Sequence, residues 1–360
     1  MKTKIHVFNV NHGDSLLVEI DSDDKTYRGV IDCHLPDQNA DSPTLSHLKI
    51  NNINHLDFVC LTHPDYDHYS GLHQLIKYYS ENGRSLNYFY DVGLDGNKAQ
   101  SVFHSKREKE TIIQLYRLIE KLDTMNSIVY RPFSFGGDLI PSLSNKIVSQ
   151  GPRVAYMKKY ERQINNRIEN YYNNKNNKSF IDKNLLSIIL TLNTDKGPAI
   201  LLSDAKKEYI EAMLQRWEKD YSTNNQFIFI KVAHHGSRYN HHKNLWKRHI
   251  QKYHSVATIS SGNKYYLPDE EVVSDIIKSK VKLYCTNKGG ALSKLNFVSP
   301  SSKQPLASIE PYIEEGLNQI TSDVSELTDF SPLHGTISTE IENNKISVTT
   351  THGHPPISSI

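Results

Sequence analysis

The sequence predicts an α/β protein, and three observations carry that expectation. Apolar runs of strand length recur along the chain, stretches with a 3.6-residue apolar period lie between several of them, and from about residue 185 the two kinds alternate. With 360 residues, 37% hydrophobic and 23% charged, the chain can bury one large core or two modest ones, which excludes disorder throughout. A formal charge of +2 gives no global attraction to polyanions, so any phosphate binding has to come from a local patch.

Taken in order, residues 4–10 and 15–20 read as two strands joined by the turn Asn11-His12-Gly13, an opening hairpin. Residues 29–32 and 56–62 are continuous apolar runs ending in polar residues, as buried strands do at a sheet edge. Between residues 107 and 122, Ile112, Leu115, Tyr116, Ile119 and Leu122 keep a helical period. Residues 165–178 are rich in Asn and Lys and read as a loop inside a helical insertion spanning about residues 83–180. Strands follow at 185–193 and 199–203, then a helix with Tyr209, Ile210, Met213, Leu214 and Trp217 on one face. Strands at 227–233, 256–260 and 281–285 and a helix at 270–279 continue the alternation. Residues 291–333 read as a Ser- and Pro-containing insertion, and 334–360 as a closing hairpin around Asn343 and Asn344 with a tail, leaving 1–290 as the main domain.

The N-terminus MKTKIHVFNVNHGD lacks the apolar core of a secretion signal, and no window approaches the roughly 18 apolar residues of a membrane span. A cytoplasmic protein without membrane association is expected. Cys33, Cys60 and Cys285 are odd in number and lack CxxC spacing, as reduced core cysteines would.

The chemistry concentrates in THPDYDHYSGL, where His63, Asp65, Asp67 and His68 crowd four metal-ligand side chains into six positions directly after a buried strand. Loops commonly carry single histidines and carboxylates, but that density has no ordinary structural use. The segment resembles the HxHxDH signature of the metallo-β-lactamase superfamily, and in its HxDxDH form the ComEC-type branch. The resemblance covers about residues 4–75 and 184–290 and implies an αββα sandwich holding two divalent ions. Residue by residue it assigns His63 and Asp65 to one metal, and Asp67 and His68 to the other, with Asp67 also orienting the attacking hydroxide. A carboxylate at Asp65 in place of imidazole makes the first site harder, favouring Mn²⁺ or Mg²⁺ alongside Zn²⁺.

The same resemblance places two more ligand segments. AILLSD matches the strand whose final carboxylate bridges the metals, giving Asp204, with Ser203 where the family has glycine. KVAHHGSRYN matches the HHGS motif, with His234 or His235 as ligand and the position before Gly236 favouring His235. Asp14 in VNHGDSLLV either approaches the site or caps its turn. Asp32 in GVIDCHL matches a family aspartate, and His34 is an extra ligand, a supporting group or a structural histidine. Asn184 to Ser187 resembles the segment that replaces a third histidine motif in the ComEC-type branch. NKYYLP departs from the family pattern, with Leu267 where a histidine belongs; Lys264 or Tyr266 is then the nearest donor.

The resemblance implies hydrolysis of phosphodiesters, DNA first, with Ser237, Arg238 and Lys264 meeting phosphate and His241, His242 and Lys243 extending a basic run. The alternatives are hydrolysis of an ester, lactone, thioester or cyclic nucleotide, or a non-catalytic metal-binding regulator. The insertions are where a protein partner would act.

Overall fold

The structure, a computed structural model, describes the chain apart from residues 24, 82, 94–104, 134–135, 173–180, 221–225, 263, 295–332, 355 and 358–360. Two mixed sheets form. The first has the order β14-β13-β1-β2-β3-β4-β5-β6, built from β1 (Lys2–Val7), β2 (Ser15–Ser22), β3 (Lys25–Cys33), β4 (His55–Cys60), β5 (Ser85–Asp91), β6 (Val129–Pro132), β13 (Ile337–Glu342) and β14 (Lys345–Thr350). The second has the order β12-β11-β10-β9-β8-β7, from β7 (Ile147–Ser149), β8 (Leu190–Asn193), β9 (Pro198–Leu201), β10 (Phe229–Lys231), β11 (Val256–Ile259) and β12 (Lys282–Cys285).

Alternation along the strands decides how the sheets pack. Leu190, Leu192, Ala199, Leu201 and Phe229 share one core with Leu16, Val18, Val30 and Phe58 of the first sheet. Their neighbours Ile189, Ile200, Leu202 and Ile230 point the other way, into a second core with Tyr209, Met213 and Trp217 of α6 (Lys207–Asp220) and Val272, Val273 and Ile276 of α8 (Glu270–Lys278). α1 (Pro43–Ile50), α3 (Leu72–Tyr79) and α4 (Lys106–Thr124) cover the first sheet through Leu45, Leu48, Leu75, Ile76, Ile112 and Leu115, and the short helices α2 (Tyr66–Tyr69) and α7 (Lys243–Arg248) follow β4 and β10. The layers are therefore helix, sheet, sheet, helix, the α/β sandwich expected. Each fully buried Leu, Ile or Phe contributes roughly 1.5 to 3 kcal/mol, so both sheets are fixed by burial on two faces.

Three expectations need correction. Residues 83–180 are more than a helical insertion, because they supply β5 and β6 to the first sheet and β7 to the second. The loop expected at 165–178 is helical as far as Tyr172 in α5 (Val154–Tyr172), which buries Tyr160 and Ile164 on one face; its remaining positions, 173–178, lie outside the described residues. The sparse apolar stripe of this helix is what the sequence reading passed over. The strand expected from residue 185 starts as a 3-10 turn, Lys183–Leu186, before β8 begins at Leu190. Between them Ile188 N–H donates to the Thr62 carbonyl at 3.0 Å, tying this crossing to the end of β4.

The opening hairpin pairs β1 with β2, and the closing hairpin β13–β14 turns through Asn343 and Asn344, both at positive φ (48° and 62°) as a two-residue turn requires. It is an integral edge of the first sheet, since β13 pairs with β1. Cys33, Cys60 and Cys285 are buried and free, and burial pushes the Cys33 thiol up to about 11. Among the described residues no helix is long and apolar enough to cross a membrane.

Candidate metal centre

The site forms where strand ends converge. β3 and β4 run parallel, as do β9, β10 and β11, so their carboxyl ends bring Asp32, the His63–His68 segment, Asp204 and the His234-His235 pair to one edge of the sandwich. Open α/β sheets characteristically leave their binding crevice there. The backbone at this edge is held in unusual shapes: Asp32, Ser203, His234 and His235 all have positive φ, at 55°, 47°, 47° and 54°. Each such non-glycine residue costs on the order of 1 to 3 kcal/mol, and such residues cluster where function needs a fixed side chain. At Ser203 the left-handed turn that glycine would favour is kept, while the hydroxyl donates to Thr62 Oγ1 at 2.7 Å.

Four imidazoles are each held by Nδ1 and present Nε2 to the carboxylates. His68 Nδ1 donates to Asp32 Oδ2 at 2.7 Å, His235 Nδ1 to the Ser260 carbonyl at 2.9 Å, and His234 Nδ1 to Asn240 Oδ1 at 2.9 Å. His63 Nδ1 faces Thr62 Oγ1 and Ser203 Oγ at 3.2 and 3.3 Å. On the other side, His63, His68 and His234 each place Nε2 3.6 Å from Asp204 Oδ2, and His63 Nε2 is 3.2 Å from Asp65 Oδ2. His235 Nε2 lies 3.3 Å from Asp67 Oδ2, and His12 Nε2 3.6 Å from the same oxygen.

Two groups of three result: His63, His68 and Asp204, and His12, Asp67 and His235, each with ligand atoms within 4.8 Å of one another. A third grouping, of Asp14, Asp32 and His68, uses carboxylates already engaged elsewhere: Asp32 accepts from His68 and Thr62, and Asp14 from Lys231. The buried Nε2 atoms of His63, His68 and His235, and Oδ1 of Asp204, make no well-aligned hydrogen bond. Four orphaned polar atoms converging from imidazole and carboxylate are the donor set of a divalent metal, so these residues fit the ions that the sequence implies.

The charges tell the same story. Burial alone would keep His63 neutral, as would His68, yet Asp204 and Asp65 raise it to about 9. Burial opposes charge on Asp204 as well, and His234 and His68 nevertheless hold it well below the usual carboxylate range. The carboxylates of Asp65, Asp67 and Asp204 need positive charge beside them, from protons on imidazole or from cations.

The arrangement differs from the expected ligand pairing, because His68 groups with His63 and Asp67 with His235. Both histidines of the pair face the centre, His235 toward Asp67 and the half-exposed His234 toward Asp204. Asp14 stands behind the centre: its carboxylate is buried in an ion pair with Lys231, both oxygens 2.8 Å from Nζ, with Oδ1 3.9 Å from His235 Nδ1. His34 turns away, with Nδ1 bonded to Ser70 Oγ at 2.8 Å. His12 was missed in the sequence, where one turn histidine carries no spacing signal; it arrives because Gly13 lets the turn press on the Asp67 backbone, where a Cβ would meet the carbonyl at 2.6 Å.

A cavity of about 730 Å³ opens over the centre. Ser237 and Arg238 line it, as do Lys183, whose ammonium lies 2.6 Å from Asp65 Oδ1, and Leu267, which forms an apolar wall where a histidine was expected. The side chain of Lys264 is outside the described residues. The expected basic run does not extend the site: His241 bonds Asp275 at 2.9 Å, His242 lies 3.9 Å from Glu211, and Lys243 pairs with Glu271 at 2.7 Å. Glu271 on α8 takes up the Lys243 charge, and burial lowers the His241 and His242 imidazoles below their ordinary pKa.

No family model matches the sequence, and no curated protein matches it significantly. Among solved structures, the chain is similar to a metal-dependent hydrolase of the β-lactamase superfamily (14% identity, TM-score 0.45, covering 80% of this chain and 97% of that one). It is also similar to a diphosphatase of the PhnP family (12%, 0.38, 75% and 90%) and to a hydrolase, AbOPH, in the β-lactamase superfamily (12%, 0.33, 61% and 71%). All three scores are below 0.5, so the functional reading rests on the site's own geometry.

Proposed function

We propose that this chain is a metal-dependent hydrolase that cleaves phosphodiesters, with nucleic acid, DNA first, as substrate. The observation that carries the reading is the convergence of His63, His68, His235 and Asp204, whose buried ligand atoms make no well-aligned hydrogen bond, directly behind an open cavity lined by His12, Asp65, Asp67, Asp204 and His234. His63, Asp65, His68, Asp204 and His234 would hold one ion, and Asp67, His235 and His12 the other. The chemistry such ions would supply is a lowered pKa for bound water and compensation of the negative charge that develops on a phosphate under attack.

The chain's own residues do the rest. Asp67, fixed by His235 and His12, orients the attacking water through its carboxylate. Asp32, the Ser260 carbonyl and Asn240 fix the ring orientation of His68, His235 and His234. Arg238 and Lys183 supply positive charge to phosphate oxygens at the cavity wall. Leu267 cannot give a proton to the leaving group, which favours leaving groups that need little protonation.

The test is cleavage of single- and double-stranded DNA and RNA by purified protein with Mn²⁺, Mg²⁺ or Zn²⁺, alongside Asp67→Ala, with bound metal measured for each. Metal-dependent cleavage lost in the variant is the expected result. Bound metal with no cleavage of any nucleic acid would replace this reading with hydrolysis of a small molecule.

A further inference from the structure

Two tyrosines on separate loops line the cavity while remaining largely in water: Tyr239 is 72% exposed and Tyr265 66%. Two exposed aromatic rings lining one polar cavity offer apolar surface where a ligand would lie. Tyr265 is held there against backbone preference, at φ 63° and ψ 14°, in a loop on which Gly290 packs so closely that a Cβ would meet the Tyr266 carbonyl at 2.2 Å. Its ring meets His12 edge-on, with centroids 5.2 Å apart, so the aromatic surface starts at the metal centre itself. Tyr239 carries the Arg238 guanidinium 5.1 Å from its ring centroid, with Nη2 donating to the phenol oxygen at 3.2 Å.

Resting on the phosphodiesterase reading, we propose that Tyr239 and Tyr265 form a stacking platform for the nucleobases that flank the scissile phosphate, and that the substrate is therefore single-stranded. A ring face beside a cation that can meet the backbone is the combination by which proteins hold unpaired strands without reading their sequence. Paired bases in a duplex turn their edges, not their faces, outward and give such a platform nothing to stack on. Arg238 lies on the Tyr239 ring, and Lys206 and Lys183, paired with Asp182 and Asp65, line the same cavity, matching a ligand that alternates flat bases with phosphates.

The experiment uses the full chain with Mn²⁺ and 5′-labelled decamers carrying phosphorothioate linkages, which resist hydrolysis. Binding by anisotropy is compared for oligo-dT, oligo-rU, an abasic strand of the same length and a duplex. The platform predicts that the abasic strand and the duplex bind more weakly than a base-bearing strand. Tyr265→Ala and Tyr239→Ala should each weaken the base-bearing strand roughly 5- to 150-fold, the range for losing one stacked base, while Tyr→Phe at either position restores binding. The tighter of the dT and rU arms identifies the sugar. Equal binding of abasic and base-bearing strands, tighter binding of duplex, or equal loss in the Phe and Ala variants would overturn the platform. Hydrolysis of bis(p-nitrophenyl) phosphate by the wild-type protein is measured in parallel and tests the phosphodiesterase reading separately. Hydrolysis with base-independent binding removes only the platform, and base-dependent binding without hydrolysis removes only the activity.

Discussion

Asp32 Oδ2 accepts a hydrogen bond from His68 Nδ1 at 2.7 Å, and both side chains are buried. The bond fixes the orientation of the His68 ring and turns Nε2 toward Asp204, where it would bind a metal. Asp32→Asn keeps the shape but gives up the charge that holds the imidazole. Metal affinity should fall about 10- to 100-fold, measured by titration against a competing chelator. Asp32 also accepts from Thr62 N at 2.8 Å and Thr62 Oγ1 at 2.7 Å, so a melting curve must accompany the titration. An unchanged metal affinity in a folded variant would show that Asp32 serves the loop and not the ligand.

His12 lies in the N-terminal glycine turn and His34 packs against its Gly13, but the two differ in what they face. His12 Nε2 approaches Asp67, whereas His34 is bonded to Ser70. His12→Ala should lower bound metal from about two ions per chain toward one, the stoichiometry of a two-ion site that has lost one position. His34→Ala should keep both. Elemental analysis of the two purified variants decides it, and equal metal in both would remove His12 from the ligand set.

These residues also show what a sequence can and cannot disclose. His63, Asp65, Asp67 and His68 were legible because a buried strand delivers them within six positions, and Asp204 and His235 because each follows an apolar strand. Sheet alternation was legible for the same local reason. His12 was not, since only the tertiary packing of Gly13 on the Asp67 backbone brings it to the centre. Asp14 could be read as approaching the site or capping its turn; its carboxylate stands 3.9 Å from His235 Nδ1, and the partner that takes its charge is Lys231, 217 positions away. Nothing local marks a lysine inside the apolar run FIKV as the buried partner of a distant aspartate.

That pair supports a stability prediction. Lys231 is 1% exposed, as is Asp14. Burial by itself would raise the Asp14 carboxyl, and the Lys231 ammonium instead holds it below its ordinary value. Lys231→Met strands a buried carboxylate and should cost about 3 to 5 kcal/mol, the usual cost of breaking such a pair from one side. Adding Asp14→Asn removes the stranded charge and should recover part of the loss. Urea unfolding of the single and double variants measures both, and a double variant no more stable than Lys231→Met would contradict the pairing.

At the far end of the first sheet, Glu19 accepts hydrogen bonds from His6 Nε2 at 3.2 Å and Arg28 Nε at 2.8 Å. The bond from His6, assisted by Arg28 and opposed by partial burial, lowers the Glu19 carboxyl from 4.5 to about 2. The folded state therefore holds this carboxylate deprotonated more firmly than the unfolded chain does. Its stabilising contribution is fully present above about pH 4.5 and is lost as pH falls toward 2, where both states are protonated. Glu19→Gln should melt below wild type at pH 6, and the gap should narrow steadily as the melts are repeated from pH 5 down to pH 2.5. Because other carboxylates also protonate there, the difference between the two proteins, and not either curve alone, isolates Glu19. A gap that stays constant over that range would mean that the Glu19 contacts stabilise the fold by packing and hydrogen bonding without regard to charge.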